Sequence, residues 1–211
     1  MKGIFSREKL ISSILAHIKA VKSRVTVFTL LIGMGIPMAA QTEPAPVFER
    51  TSSQKGVEIS TDVLAVALPA TALTLTLCHQ DWKGLLQGVE SAAVTAGVTL
   101  ILKYSVKEWR PDHSNRHSFP SGHSAVTFAS AAYLQRRYGW AWGAPAYALA
   151  TYVAWGRCFA KKHYWYDVVA GAAIGAGSSY IFTRPFARKH DLKISPVTDG
   201  TYIGIYASFN L

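Results

Sequence analysis

Five apolar runs, Val63 to Cys78, Leu85 to Leu102, Pro120 to Leu134, Trp140 to Gly156 and Val168 to Phe182, set the terms on which this chain can fold. Each falls short of the ~20 residues that cross a bilayer, so the runs must borrow flanking residues, tilt, or be buried as soluble helices. Small residues crowd two of them, "HSAVTFASAA" and "AGAAIGAGSS", where Ala, Gly and Ser let helix backbones approach closely. The expected architecture is an all-α integral-membrane bundle of five to six transmembrane helices. Half of the 211 residues are hydrophobic and only 16% are charged, which is apolar for an ordinary soluble domain.

The sparse charge is unbalanced, 22 Lys and Arg against 12 Asp and Glu, for a net +10. Such an excess suits nucleic acid, anionic lipid or a phosphorylated substrate. Position decides among them. The cations gather at the ends of apolar runs, at Lys19, Lys22 and Arg24, at Arg136 and Arg137, and at Arg184, Arg188 and Lys189. That is a membrane pattern, so the membrane rather than nucleic acid is the expected partner.

With the N-terminus inside, "HQDWKG", "QRRY" and "TRPFARKH" also fall inside and follow the positive-inside rule. The outer segments break it with Lys103, Lys107, Arg110, Arg116, Arg157, Lys161 and Lys162. A basic cluster on the wrong side asks for a functional reason. The same topology puts Cys78 and Cys158, both read as small core residues, on opposite faces and too far apart to pair.

The ends read differently. Residues 1–40 join a basic stretch to "VTVFTLLIGMGIPMAA", which fits a secretory signal peptide or an uncleaved first transmembrane helix. Residues 41–61, polar and carrying Pro44 and Pro46, read as a periplasmic linker, residues 62–183 as the helical bundle, and 184–211 as a tail. Within the tail, "TYIGIYASFNL" alternates as one strand.

Three polar clusters lie at helix ends on the outer side. In "KYSVKEWRP", read as an extension of the second apolar helix, Lys103 and Arg110 are two turns apart and present two cations from one side, before Pro111 turns the chain. An interfacial cap of snorkelling cations would look similar. In "PSGH", Ser121 can cap a helix and Gly122 lets backbone approach a ligand, making an anion site beside His123. The glycines of a serine-hydrolase elbow are missing around Ser121. In "GRCFAKKHYWYD", His163 and Asp167 are one turn apart, a spacing at which a carboxylate fixes an imidazole tautomer, and Arg157 precedes them. An oriented imidazole can attack phosphorus, an arginine can neutralise its oxygens, and a second imidazole can protonate the leaving oxygen. A metal site from His113, His117, His123 and Asp167 is the rival, but lacks a recognised ligand spacing.

Taken in order and spacing, Lys103 with Arg110 and Pro111, then Pro120 to His123, then Arg157 with His163 and Asp167, resemble the three-part signature of the type 2 phosphatidic acid phosphatase superfamily. The resemblance implies that His163 is the nucleophile forming a phosphohistidine, Asp167 its orienting partner and His123 the acid. Lys103, Arg110, Arg157, Ser121 and the Gly122 amide would hold the phosphoryl oxygens, with no metal and no cofactor. The family serine before the last arginine is Gly156 here, which removes one donor expected on the phosphate. The function so implied is a metal-independent phosphatase of the bacterial inner membrane, its site facing the periplasm. Lipid A phosphate is the favoured substrate, with undecaprenyl diphosphate and phosphatidylglycerol phosphate as alternatives. A soluble periplasmic acid phosphatase, a vanadium haloperoxidase and a non-catalytic membrane protein are the other classes to separate.

Overall fold

The computed structural model describes residues 49–186, together with the backbone of 193–198 and 203–208. The signal or first helix expected over 1–40 lies outside the described residues. Five helices follow one another: α1 (Ser52–Cys78), α2 (Trp82–Ser105), α3 (Gly122–Tyr138), α4 (Trp140–Phe159) and α5 (Trp165–Phe182). Each contains one of the apolar runs, except that Pro120 and Ser121 of the third precede α3. Two of them, α1 and α2, are long and apolar enough to cross a bilayer by length and composition. The 17 residues of α3 rise only about 25 Å, short of a ~30 Å hydrocarbon layer.

The start of α1 corrects the expected linker, because residues 52–61 are helical. Thr51 Oγ1 accepts from the Gln54 amide at 3.3 Å, and Gln54 Oε1 accepts from the Thr51 amide at 3.0 Å. This reciprocal cap satisfies two free N–H groups and starts the helix well ahead of the apolar run. The added turns carry Glu58, Thr61 and Asp62 to the end of the bundle at which α2 and α4 finish and α3 and α5 start, named the outer end for its place in the expected topology.

Burial is inverted relative to a soluble bundle. Thr61 and Thr76 of α1 and Ser91, Thr95 and Thr99 of α2 face inward, while Val66 and Ile101 on the same helices are 72% and 67% exposed. An apolar exterior over a small, hydroxyl-rich interior is stable against lipid and costly against water. Exposed aromatics rim both ends, Trp82, Trp140 and Trp142 at one and Tyr104, Trp155 and Trp165 at the other, as interfacial belts do. The protein is a membrane helical bundle.

At its centre α3 and α5 cross almost backbone to backbone. A Cβ built at Gly171 would stand 2.4 Å from the Ser121 carbonyl oxygen, and one at Gly175 would stand 2.0 Å from that of Ala125. Only glycine permits that approach. Ser179 Oγ donates to the Ala129 carbonyl at 2.7 Å across the same seam. The small-residue stretches read from the sequence therefore form the central helix contact, which sets the start of α5 beside the start of α3.

The inner end is closed by one ionic cluster. Asp81, the N-cap of α2, pairs with Arg137 through both carboxylate oxygens and also accepts from the Gly84 amide at 2.9 Å and the Tyr138 hydroxyl at 3.1 Å. Burial works against the charge of Asp81, but Arg137 and the Gly84 amide hold its carboxyl below the usual range. Arg137 Nη1 donates to the carbonyls of Arg184 and Pro185 at 2.8 and 3.2 Å, tying the chain after α5 to the same point. Both cysteines are free, as expected, although Cys78 is exposed rather than part of the core. Where one tail strand was expected, there are two: β1 (Lys193–Thr198) pairs antiparallel with β2 (Ile203–Ser208), Lys193 opposite Ser208. A lone strand leaves its backbone groups without a ladder, and the hairpin supplies one.

Candidate active site

Every candidate residue named from the sequence stands at the outer end. Ser121 is the N-cap of α3, fully buried, its Oγ accepting from the Ser124 amide at 3.4 Å and the Ser124 hydroxyl at 3.1 Å. Gly122 opens the helix, and a Cβ there would meet only Thr99 Cγ2, at 3.9 Å, so the space beside its amide is open. Free N–H groups, a small hydroxyl and the positive end of the helix dipole form an anion cradle.

His163 and Asp167 are 3% and 0% exposed. His163 precedes α5, and Asp167 at the third helical position accepts from the Tyr164 amide at 2.9 Å and from the Ser118 hydroxyl through Oδ2. The same oxygen stands 3.5 Å from His163 Nδ1. That is long for a hydrogen bond, and catalytic bonds of this kind tighten when substrate is held. The carboxylate thus caps α5 and faces the imidazole at once, leaving Nε2 as the nitrogen that can attack. Burial, with the charges of Arg110 and Lys103, pulls the His163 pKa down to about 4 against the opposing pull of Asp167, so the ring is neutral at neutral pH.

The cations converge by different routes. Lys103, in the last turn of α2, donates to the carbonyls of His117 and Pro120 at 3.0 and 2.9 Å, bracketing the loop that leads into Ser121. Arg157, in the last turn of α4, is 4% exposed and donates to Thr61 Oγ1 at 3.2 Å and Asp62 Oδ1 at 2.6 Å. Arg110 does not sit on a helix with Lys103, because α2 ends at Ser105 and Val106 is extended. Its loop folds back on itself, with Ser118 N donating to Glu108 O at 3.1 Å and Arg110 N to Asn115 O at 3.0 Å. That pairing takes the place of the helical turns expected from the spacing. Arg110 is nonetheless close enough to feel the charges of Arg157 and Asp167, and burial together with Arg157 lowers its pKa. The Nε atoms of Arg110 and Arg157 are buried without hydrogen-bond partners. Buried donors left unmade are costly, which is the state expected of groups kept for a ligand.

Two residues escaped the sequence reading because they lie in the segment taken for a linker and at its edge. Asp62 Oδ1 stands 2.8 Å from His123 Nε2 and 2.6 Å from Arg157 Nη1, so one carboxylate joins the two groups. Glu58 forms an ion pair with Lys162 at 3.2 Å, and Lys162 reaches Asp112 at 3.3 Å. The capping box at Thr51 was the available signal that these residues are helical. Gly156 is explained by α1 as well, since a Cβ there would lie 2.5 Å from Thr61 Cγ2 and 2.9 Å from Val57 Cγ1. The space that a larger side chain would need is filled by α1. Of the residues weighed for a metal, His113 packs by Trp109 and His117 by Tyr104, with ring centroids 6.1 and 5.6 Å apart. Among the described residues no group of three or more His, Cys, Asp or Glu is placed to hold a metal ion.

A membrane bundle with an ionic, partly unpaired pocket at one end is the class that the fold and the site define. A sequence model of the PAP2 superfamily matches residues 84–191. The chain is 30% identical over 133 residues to a lipid A 4'-phosphatase of Helicobacter pylori, covering 58% of this chain and 67% of that protein. It is 33% identical over 101 residues to a lipid A 1-phosphatase of Porphyromonas gingivalis, covering 46% of this chain but only 22% of that one. Its fold is similar to the crystal structure of Aquifex aeolicus LpxE, with a TM-score of 0.52 at 20% identity over 63% of this chain and 86% of the other. The chain belongs to the PAP2 superfamily and is a membrane phosphatase.

Proposed function

We propose that the protein removes a phosphate from lipid A at the periplasmic face of the bacterial inner membrane, through a phosphohistidine. The observation that carries the mechanism is the pair of buried, unpartnered arginine Nε atoms at the same end of the bundle as a buried neutral imidazole. In this reading the phosphoryl oxygens lie among Lys103, Arg110, Arg157, Ser121 Oγ and the Gly122 amide, and these groups meet the charge that grows as the bond breaks. His163 Nε2 attacks phosphorus while Asp167 holds its Nδ1–H. The bond from phosphorus to the lipid oxygen breaks, and protonated His123 gives that oxygen its proton. His123, now neutral, takes a proton from water, whose oxygen attacks the phosphohistidine and releases inorganic phosphate and free His163. Asp62 Oδ1, 2.8 Å from His123 Nε2, keeps the ring in place. Three fixed cations supply the charge that a metal would otherwise bring. The two relatives named for lipid A, which differ in the phosphate they remove, support the substrate class.

The test is phosphate release by purified wild-type and His163→Ala protein in detergent, from lipid A, undecaprenyl diphosphate and phosphatidylglycerol phosphate. Release from lipid A that survives chelator and disappears in the variant, together with its radiolabelled phosphoenzyme, is expected. Release from another lipid alone would reassign the substrate. Activity retained by His163→Ala would overturn the mechanism.

A further inference from the structure

Glu108 lies outside the three-part signature roles, yet it reaches the centre of the site. Its backbone is anchored by the Ser118 amide at 3.1 Å and by a bridge to His117. Its side chain Oε1 accepts from the hydroxyl of Tyr166, the residue before Asp167 in α5, and the Asp167 charge bears on it. Asp167 has used one oxygen fully, since Oδ2 serves Ser118, Tyr164 N and His163. Its Oδ1 is buried with no partner among the hydrogen bonds.

Where burial and a neighbouring negative charge both bear on a carboxyl, it holds its proton more tightly. One proton between the two carboxyls removes the repulsion and satisfies Asp167 Oδ1 in a single bond. The groups around the pair decide which carboxyl carries it. On the Asp167 side stand His163 from the α4–α5 loop, Lys103 from α2 and Arg110 from the α2–α3 loop, all of which favour an ionised Asp167. The Glu108 side chain faces Tyr166 and Asp167 of α5, while its backbone pairs with His117 across the bridge. Nothing cationic is paired with it among the described residues.

We propose that Glu108 is a positioning residue that donates a proton-bearing carboxyl to Asp167 Oδ1, fixing the carboxylate that orients His163. Burial, with the Asp167 charge beside it, pushes the Glu108 carboxyl up to about 7, against the Tyr166 bond that favours its ionised form. As pH rises through that value the donor is lost, a second negative charge faces Asp167, and the imidazole loses its fixed partner. The arrangement makes the enzyme slower on the alkaline side. In Glu108→Gln the amide donates to Asp167 and its carbonyl accepts from Tyr166 at every pH.

The role rests on the proposed use of His163 and Asp167, so the test has one arm that needs no turnover. Infrared difference spectra of the wild type, titrated in detergent, are expected to show a protonated-carboxyl stretch that disappears with a midpoint near 7, the value set by burial. The band should be missing in Glu108→Gln. In Tyr166→Phe it should move in frequency and persist to higher pH, because a bond to the ionised form is gone. The second arm follows single-turnover cleavage of an aryl phosphate whose leaving group needs no proton, which removes the limb due to His123. The wild type should slow several-fold across neutrality, Glu108→Gln should stay flat, and Glu108→Ala should be slow throughout. A wild type without a titrating carboxyl band, or a Glu108→Gln enzyme that keeps the wild-type limb, would overturn the proposal. A protein that shows the band yet cleaves no phosphate would keep the pair and lose the phosphatase reading.

Discussion

The two ends of the bundle are built from the same chemistry and finished differently. At the inner end Asp81 and Arg137 are buried, and every carboxylate oxygen and every guanidinium nitrogen of the pair has a partner in the protein. At the outer end Arg110 and Arg157 are sheltered too, yet each leaves its Nε without one. A buried charge is tolerated when its bonds are complete, so the inner cluster is a closed lock on α2, α3 and the chain after α5. The outer cluster keeps its incompleteness, which leaves room for a phosphoryl group to finish the pattern. Burial of charge does not separate structure from function here. The partner count does.

The largest expected effect tests the lock. Arg137→Ala leaves Asp81 buried and unpaired, and should cost about 3–5 kcal/mol of stability, read as a lowered thermal midpoint in detergent. The molecules that remain folded should turn over at close to the wild-type rate. Arg157→Ala should behave in the opposite way, losing roughly 10²–10³-fold in kcat/KM, as expected for a donor to developing charge, with a much smaller change in the midpoint. If both variants lost stability alike, the distinction between a closed and an open cluster would fail. The smallest effect sharpens the boundary between them. Gly156→Ser places a side chain against Thr61 and Val57 of α1, and should cost about 1–3 kcal/mol as overpacking. It should also lower activity, because α1 carries Thr61 and Asp62 to Arg157 and His123. A stable, fully active Gly156→Ser would show that the seating of α1 is not what excludes the serine.

Much of the site was legible because its parts are local. Ser121 as a cap, His163 and Asp167 at a one-turn spacing, and a cation at the end of a helix are each set by a few adjacent residues, and all are found in place. Arg110 was legible as a residue but not as a geometry, since the chain after Ser105 leaves the helix and pairs with residues 115–118 instead. Asp62 and Glu108 were not legible as neighbours of the site. Their partners lie across the bundle, His123 and Arg157 for the one, Tyr166 and Asp167 for the other.

By itself, the sequence determined the apolar runs, the small residues that let α3 and α5 touch, and the order of the polar clusters, because periodicity and side-chain size act over a few residues. The tertiary structure decided which buried charges are satisfied. Two arginines close to helix ends, Arg137 and Arg157, look alike along the chain, and only the packing of α1, α2 and α5 around them gives one a complete set of partners and leaves the other with an unpaired nitrogen. Whether a buried donor is met depends on groups distant in sequence, and a short stretch of residues holds no record of them.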